Sequence, residues 1–375
     1  VHQEFFPQVV VDLHEMGGNG TYYFAPPADP INPFIPEEQR DWFDVFGRNN
    51  GARFDEKGFA YFIREAFDSF YPGYGESWPI FNGAIGMTYE QASARGLKFA
   101  RDDGLLLTYK DGVLHHFTAA IQTALTAAEN REKLLRYYSN YRESAIAQGE
   151  TGTREYILLP GVDPSRAERL ALLLVRQGIE VRQAAEPTRV GAREIPPGSY
   201  LISAAQPTGR LIRNLLETNV DQDEAFVKTQ DDRRKKRQGD QIYDVTAWSL
   251  PIAFDVECVT SIAPLNVKSE ALDSVSPTRS PVLPDAAVAY LLPWGFNSAA
   301  AVAEALEEGL RVRVAGDIIK LNGMTFPTGT VIFRTSENTD LASKLGAIAA
   351  KHRVLPTPTD TSFVDAGGIS LGSDA

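Results

Sequence analysis

Short apolar runs with strand periodicity alternate with longer stretches of helical periodicity along most of the chain. Near its beginning, the β-branched residues 9–11 lead into Asp12-Leu13-His14-Glu15, and Gly17-Gly18 follows at once. This pattern predicts a buried strand that ends at the carboxyl edge of a sheet, where open α/β sheets place their active sites. A second internal strand is predicted over residues 83–92, and helical patterns cover residues 36–49, 56–70 and 111–147.

After about residue 150 the same order of elements occurs twice. Residues 156–160 and 290–293 each open a unit with a strand, and residues 195–202 and 326–333 each lead through a strand into a helix. Within the first unit a helix is predicted over 164–177 and a strand over 180–182. The alternation predicts an α/β fold, with one domain at 1–150 and a duplicated α/β domain at 151–375. The two units of that second domain span about 154–218 and 287–355, around an inserted segment and linker at 219–286.

Length and charge narrow the classes of partner. A chain of 375 residues exceeds one ordinary core, which agrees with two or more domains. Its net charge of −12 disfavours nucleic acids and acidic lipids, because both are bound through Lys and Arg. The basic run at 231–237 is short and begins with two acidic residues, so it predicts a solvated loop. No apolar run reaches the roughly 18 residues that cross a bilayer, and no transmembrane segment is predicted.

The cysteine content limits disulfides and thiolate metal sites. Cys258 is the one cysteine, so no internal disulfide can form, and its apolar surroundings predict an inert buried thiol. A metal site in this chain would therefore depend on histidine and carboxylates.

The Ser/Pro-rich residues 265–285 predict a linker.

The two predicted strands carry the first candidates for chemistry. On a strand alternate side chains share a face, so Asp12 and His14 point together. His14 is a candidate metal ligand, because histidine is the commonest protein ligand of catalytic metals; the alternative is a hydrogen-bonded structural histidine. Glu90 shares its face with the small residues Ala84, Gly86 and Thr88, which suits a base that touches a substrate. The alternative for Glu90 is a solvated glutamate at a strand end.

A tyrosine-rich loop precedes the second strand. Residues 70–79 contain Tyr71 and Tyr74 among glycines and prolines, a composition typical of a lid-like turn. A phenol there can donate a hydrogen bond to a substrate carboxylate or a developing oxyanion. The alternative is that these rings only pack against their neighbours.

Three motifs together resemble a known family. They are His14 in Val-Asp-Leu-His-Glu, the loop Tyr-Pro-x-Tyr-Gly-x-x-Trp from Tyr71 to Trp78, and Glu90 in Gly-Met-Thr-Tyr-Glu-Gln-Ala. This order resembles the carboxyl-terminal half of zinc carboxypeptidases of the carboxypeptidase A type, in a large bacterial branch. The resemblance implies that residues 1–150 are the carboxyl-terminal half of a mixed-sheet α/β/α catalytic domain. Residues 151–375 resemble the α/β domain that follows it in that branch.

The resemblance also implies roles for individual residues. His14 would be a zinc ligand, and Glu90 the general base that activates a zinc-bound water. Tyr71 and Tyr74 would be phenols over the substrate, which would be a peptide or a small amide. Zinc is therefore the expected cofactor of the complete protein, and a periplasmic or secreted location is implied.

The chain departs from the family at the first two zinc ligands. The family takes them from a His-x-x-Glu turn, and no histidine of this sequence is followed three residues later by glutamate. The zinc site is thus incomplete in this chain, which is expected to be inactive alone. One interpretation is that the sequence starts within a fold and stops before a further domain, with the amino-terminal half of the catalytic domain upstream or in another chain. The alternatives are a peptide- or glycan-binding module that has lost its metal, and a zinc-dependent deacylase of the same fold.

Overall fold

A computed structural model describes residues 2–243, 245–273, 283–367 and 370–372. Helices and strands are mixed along the chain, as the α/β prediction requires. The helices are α1 (His2–Phe5), α2 (Glu37–Lys57), α3 (Ser77–Phe81), α4 (Tyr109–Glu129), α5 (Arg131–Thr151), α6 (Pro164–Arg176), α7 (Gly209–Leu216), α8 (Glu224–Lys235), α9 (Leu250–Ala253), α10 (Ser298–Glu307) and α11 (Leu341–His352). None of these helices, over the residues described, is both long enough and apolar enough to cross a membrane.

The strands are short and form several small sheets. They are β1 (Val9–Met16), β2 (Tyr22–Tyr23), β3 (Ala28–Ile31), β4 (Asp68–Ser69), β5 (Ile85–Ala92), β6 (Lys98–Ala100), β7 (Leu106–Thr108), β8 (Glu155–Leu158), β9 (Arg182–Ala184), β10 (Thr188–Val190), β11 (Arg193–Ile195), β12 (Tyr200–Ser203), β13 (Cys258–Ser261), β14 (Ser269–Ala271), β15 (Ala289–Leu292), β16 (Arg313–Val314), β17 (Ile319–Leu321), β18 (Met324–Phe326), β19 (Val331–Arg334), β20 (Thr357–Thr359) and β21 (Ala366–Gly367).

The chain divides into two compact units. The first contains Val1–Arg154 and Ser203–Leu250, and the second contains Glu155–Ile202 and Pro251–Ala375. The chain therefore leaves the first unit near residue 154, returns to it at residue 203 and leaves it again at residue 250. The predicted division into two consecutive domains, 1–150 and 151–375, does not include this return.

The first unit is built around a sheet with the strand order β1-β5-β2. β1 and β5 run parallel, in a register that pairs Val9 with Ile85 and Met16 with Ala92, whereas β2 is antiparallel to β5. Tyr89 of β5 contacts α2 and α4 on one face, and Gly86 lies against α3 on the other. The central strand β5 is consequently almost entirely buried.

A buried hydrogen-bond cluster joins β5 to both helices on the Tyr89 face. Asn50 of α2 donates from Nδ2 to the Tyr89 hydroxyl at 2.8 Å, and that hydroxyl lies 2.6 Å from Oγ1 of Thr123 on α4. The Tyr89 side chain is fully buried, and its burial raises its pKa to about 12. The hydroxyl is therefore neutral and acts as both donor and acceptor.

Replacing Tyr89 by Phe is expected to destabilise the protein by about 1–2 kcal/mol, because it leaves buried polar groups of Asn50 and Thr123 without their shared partner. Urea unfolding followed by circular dichroism measures this loss. Tyr61→Phe removes a hydroxyl that makes a long, exposed contact to Asp55 and should change the free energy of unfolding by less than about 0.5 kcal/mol. Equal effects of the two substitutions would contradict the structural role of the Tyr89 hydroxyl.

Three helix predictions in the first unit are wrong in extent. α2 covers Glu37–Lys57, beyond the predicted end at residue 49, and Gly58 ends it in the left-handed conformation with φ 68°. The helix predicted over 56–70 does not form as a separate element, because residues 58–70 are not helical. The predicted helical stretch 111–147 is two helices that meet at Asn130. α4 begins at a capping box in which Thr108 and Asp111 exchange hydrogen bonds.

The prediction of a buried first strand is also wrong. β1 pairs only with β5 among the described residues, and its carboxyl-terminal half is exposed, with Leu13 50% exposed. The outer face of α4 carries a further set of exposed apolar side chains at helical spacing: Val113, Phe117, Ile121 and Leu125. The first unit thus has a free sheet edge and an exposed apolar helix face.

The second unit contains two sheets with the same local order of strands. One has the order β13-β8-β12-β9-β14 and the other β16-β19-β15-β20, so β8, β12 and β9 correspond to β15, β19 and β16. The turns before β12 and β19 also match: Gly198 donates to the carbonyl of Ala184, and Gly329 to that of Ala315. Both glycines have positive φ, 84° and 88°, which a side chain would strain. α6 covers Pro164–Arg176, which confirms the predicted helix there.

The segment that connects β12 to β15 along the chain differs from its predicted structure. The basic run predicted as a loop lies largely in α8, where Arg234 pairs with Asp240 and Lys235 with Asp232. The linker prediction at 265–285 includes strand β14, and its residues 274–282 lie outside the described residues. Cys258 is partly exposed at the surface of β13, and desolvation raises the pKa of its thiol to about 12, which makes it unreactive.

Candidate functional site

The first unit contains a cavity of about 290 Å³ beside β1 and β5. Its walls come from both strands, from the loop before α3, from β4 and from the later segment around Tyr243. The lining residues are Asp12, His14, Tyr23, Ala25, Pro27, Phe67, Asp68, Ser69, Gly73, Tyr74, Gly75, Glu76, Gly86, Met87, Thr88, Glu90 and Tyr243. The face of β1 and β5 predicted to carry chemistry is thus the face that borders this cavity.

His14 and Glu90 meet directly at this cavity. The parallel register pairs the two residues across β1 and β5, so both side chains project from the same face. Nδ1 of His14 lies 3.2 Å from Oε1 and 3.3 Å from Oε2 of Glu90. The carboxyl group is buried, whereas the imidazole is 61% exposed. The pair therefore joins a protected carboxylate to an accessible imidazole.

Each member of the pair changes the proton affinity of the other. The negative charge of Glu90 is the main cause that raises the pKa of His14. Burial raises the pKa of Glu90, although His14 opposes that shift. A carboxylate whose pKa is raised by desolvation is a stronger base than an exposed one. Glu90 is thus suited to accepting and returning a proton.

Three more carboxyl groups line the same cavity. Asp12 lies two residues before His14 on the same face, Asp68 belongs to β4, and Glu76 immediately precedes α3. Oγ of Ser77 donates to Oε1 of Glu76 at 3.3 Å, and burial raises the pKa of Glu76. A Cβ on Gly75 would lie 2.6 Å from Oδ2 of Asp12, so the loop before α3 passes close to the Asp12 side chain.

The two tyrosines of the loop occupy different positions. Tyr74 lines the cavity, whereas Tyr71 is not among the lining residues. The ring of Tyr71 packs edge-on against Tyr74, at 5.2 Å between centroids, and against Trp248, at 5.7 Å. Tyr71 therefore supports the ring of Tyr74 from behind in this conformation.

Sequence patterns did not identify several of the residues that line the cavity. Tyr243 contacts Tyr74 and Phe67 with centroid distances of 6.1 and 5.3 Å, although it lies far along the chain from both. No local pattern marks Tyr243 or Asp68. Glu76 was detectable in principle, because it lies inside the tyrosine-rich loop that the motif defines.

The two histidines of α4 do not add to the pair. Nδ1 of His116 lies 2.8 Å from the Tyr22 hydroxyl, and Nδ1 of His115 lies 2.9 Å from Oε1 of Gln91. Burial lowers the pKa of both, so they are neutral hydrogen-bonded groups. No three His, Cys, Asp or Glu residues of the described part of the chain are placed to hold a metal ion together. Catalytic zinc needs about three protein ligands, and these residues do not fit it by themselves.

Comparison with known protein families, with curated proteins and with solved structures found no match to this chain.

The pH dependence of the melting temperature tests the burial of the Glu76 carboxyl group. Its pKa is raised in the folded protein, so the folded state favours the protonated form, and the stability that Glu76 contributes is lost as pH rises through the raised pKa. Glu76→Gln should therefore raise the melting temperature by a few degrees at neutral pH and have little effect at acidic pH. Thermal unfolding at both pH values measures the difference. A melting temperature that falls equally at both would contradict this electrostatic cost.

Proposed function

We propose that this chain is part of a hydrolase of peptide or peptide-like amide bonds, of the zinc carboxypeptidase type that its motifs resemble. The observation that supports the proposal most strongly is the contact between His14 and Glu90 at the wall of a cavity that also presents the Tyr74 phenol. A protected base, an accessible imidazole and a phenol next to one cavity are groups that can take part in amide hydrolysis.

In this proposal Glu90 moves the proton. Its buried carboxylate accepts a proton from the attacking water and returns it to the leaving amine. Tyr74 donates a hydrogen bond to the substrate, and Tyr71 packs behind it to limit its rotation. In this proposal His14 contacts Glu90 through Nδ1 and presents its exposed imidazole to a further ligand.

The proposal includes a missing part of the site. The further metal ligands would come from an amino-terminal half of the catalytic domain that is not in this chain. The free edge of β1 and the exposed apolar face of α4 support this, because an added strand and helix would cover them. We further propose that the two similar halves of the second unit are copies of one repeat, and that the protein acts in the periplasm or outside the cell.

A binding module is the second candidate. The cavity and its carboxylates lie entirely within the first unit, so a peptide ligand could be held there without turnover. A zinc-dependent deacylase would use the same His14, Glu90 and Tyr74 on a smaller amide.

The zinc content of the protein purified from its natural source separates the enzyme from the binding module. Near-stoichiometric zinc together with hydrolysis of peptides or small amides supports the hydrolase, and the preferred substrate distinguishes peptidase from deacylase. A protein without zinc and without amide hydrolysis would refute the proposal and favour the binding module.

A further inference from the structure

The cavity has a strongly unbalanced charge. Four carboxyl groups line it, those of Asp12, Asp68, Glu76 and Glu90, and neither lysine nor arginine lies among the lining residues that the structure describes. His14 is the one basic side chain in the lining, and it already contacts Glu90. These carboxylates would repel an anionic ligand.

The four carboxyl groups of the lining are near one another without forming a metal site. Asp68, Glu76 and Glu90 all act on the Tyr23 hydroxyl and, together with its burial, raise its pKa. Even so, no three acidic or histidine side chains of the described residues could share one metal ion. Charges that line a volume of about 290 Å³ match an organic cation better than a single ion.

The remaining walls are aromatic. Tyr74 and Tyr243 contact each other, and Phe67 lies between the rings of Tyr23 and Tyr243, with centroid distances of 4.9 and 5.3 Å. All four residues line the cavity. Aromatic faces attract ammonium and guanidinium groups, and they also pack against the methylene groups of a lysine or arginine side chain.

We propose that this cavity binds a ligand with a side chain that ends in an ammonium or guanidinium group, as in a lysine- or arginine-containing peptide. Asp12, Asp68 and Glu76 receive the cation, and Tyr74, Tyr243 and Phe67 pack along its stem. The inference uses the cavity of the proposed function, whose substrate would then be cationic, but it requires no turnover and no metal.

Calorimetry with the 375-residue chain tests this with two probes of nearly equal shape, Nα-acetyl-lysine amide and Nα-acetyl-norleucine amide. The lysine probe should bind at least about tenfold more tightly, since it makes hydrogen bonds and ion contacts to buried carboxylates that norleucine lacks. Its affinity should also fall as salt is added.

Substitutions then locate the contact. Glu76→Gln and Asp68→Asn should each weaken the lysine probe by about tenfold. Glu129→Gln, on the exposed end of α4, changes the net charge equally and should leave binding unaltered. Because Asp68 is buried, Asp12→Asn at the half-buried strand position provides a third variant if Asp68→Asn unfolds.

The outcomes distinguish this inference from the proposed function. Equal affinity for the two probes, or lysine binding that survives all the cavity substitutions, would overturn the cationic ligand. Lysine-selective binding supports it, even where the natural protein shows no amide hydrolysis. Hydrolysis by the natural protein of uncharged or acidic substrates alone would overturn it while leaving the hydrolase proposal intact.

Discussion

Replacing Glu90 by Gln is expected to lower the rate constant of amide hydrolysis by the natural protein by about 10²–10⁴-fold, the usual contribution of a general base. Glutamine has nearly the same size and can still contact Nδ1 of His14, but it cannot accept and return a proton. The affinity for substrate should change much less than the rate constant, because the amide keeps the shape of the cavity wall. Steady-state kinetics on the purified variant separate the two quantities.

The pH dependence of the same reaction provides a second measurement of this role. Because burial raises the pKa of Glu90 and the base must be deprotonated, the rate of the wild type should rise with pH through that raised pKa. Glu90→Gln should remove this rise. Glu15→Gln is the matched control, since Glu15 lies next to His14 on β1 but is exposed and does not line the cavity. A Glu90→Gln protein with wild-type activity would exclude Glu90 as the base.

Substituting alanine for Gly86 is expected to destabilise the protein by about 3 kcal/mol or more, the upper range for an added buried methyl group. A Cβ at this position of β5 would collide with the carbonyl oxygen of Glu76 and lie 2.8 Å from Cγ1 of Ile80. Neither the backbone at Glu76 nor α3 can move away easily, because four of the five residues of α3 are buried. Urea unfolding measures the loss of stability.

Gly17→Ala is the control for that substitution. Gly17 follows β1, no atom lies within 4 Å of the position its Cβ would take, and alanine should alter stability by less than about 0.5 kcal/mol. Gly86→Ala should also weaken the lysine probe, since a displaced Glu76 would change the cavity wall. An unchanged free energy of unfolding for Gly86→Ala would mean that α3 does not pack on β5 as described.

The sequence pattern was sufficient for β1, β5, α6 and the α/β class. Strand periodicity assigns alternate side chains to opposite faces without any knowledge of the partner strand. It therefore places Asp12 with His14 on one face of β1, and Glu90 with Gly86 and Thr88 on one face of β5. The same reasoning gave the wrong end for the helix that begins near residue 37. Helical patterns there continue past residue 49, and only the left-handed conformation of Gly58 ends α2.

The tertiary structure alone decided which of these faces meet. The parallel register that places His14 beside Glu90 depends on long-range hydrogen bonds between β1 and β5, and no local pattern specifies them. Tyr243 and Asp68 line the cavity because distant segments pack on the tyrosine loop. Leu13 is exposed because β1 lacks a second neighbour among the described residues. The sequence by itself determined which side chains share a strand face, since that follows from backbone geometry, whereas the cavity and its charge arise only from packing between segments far apart in the chain.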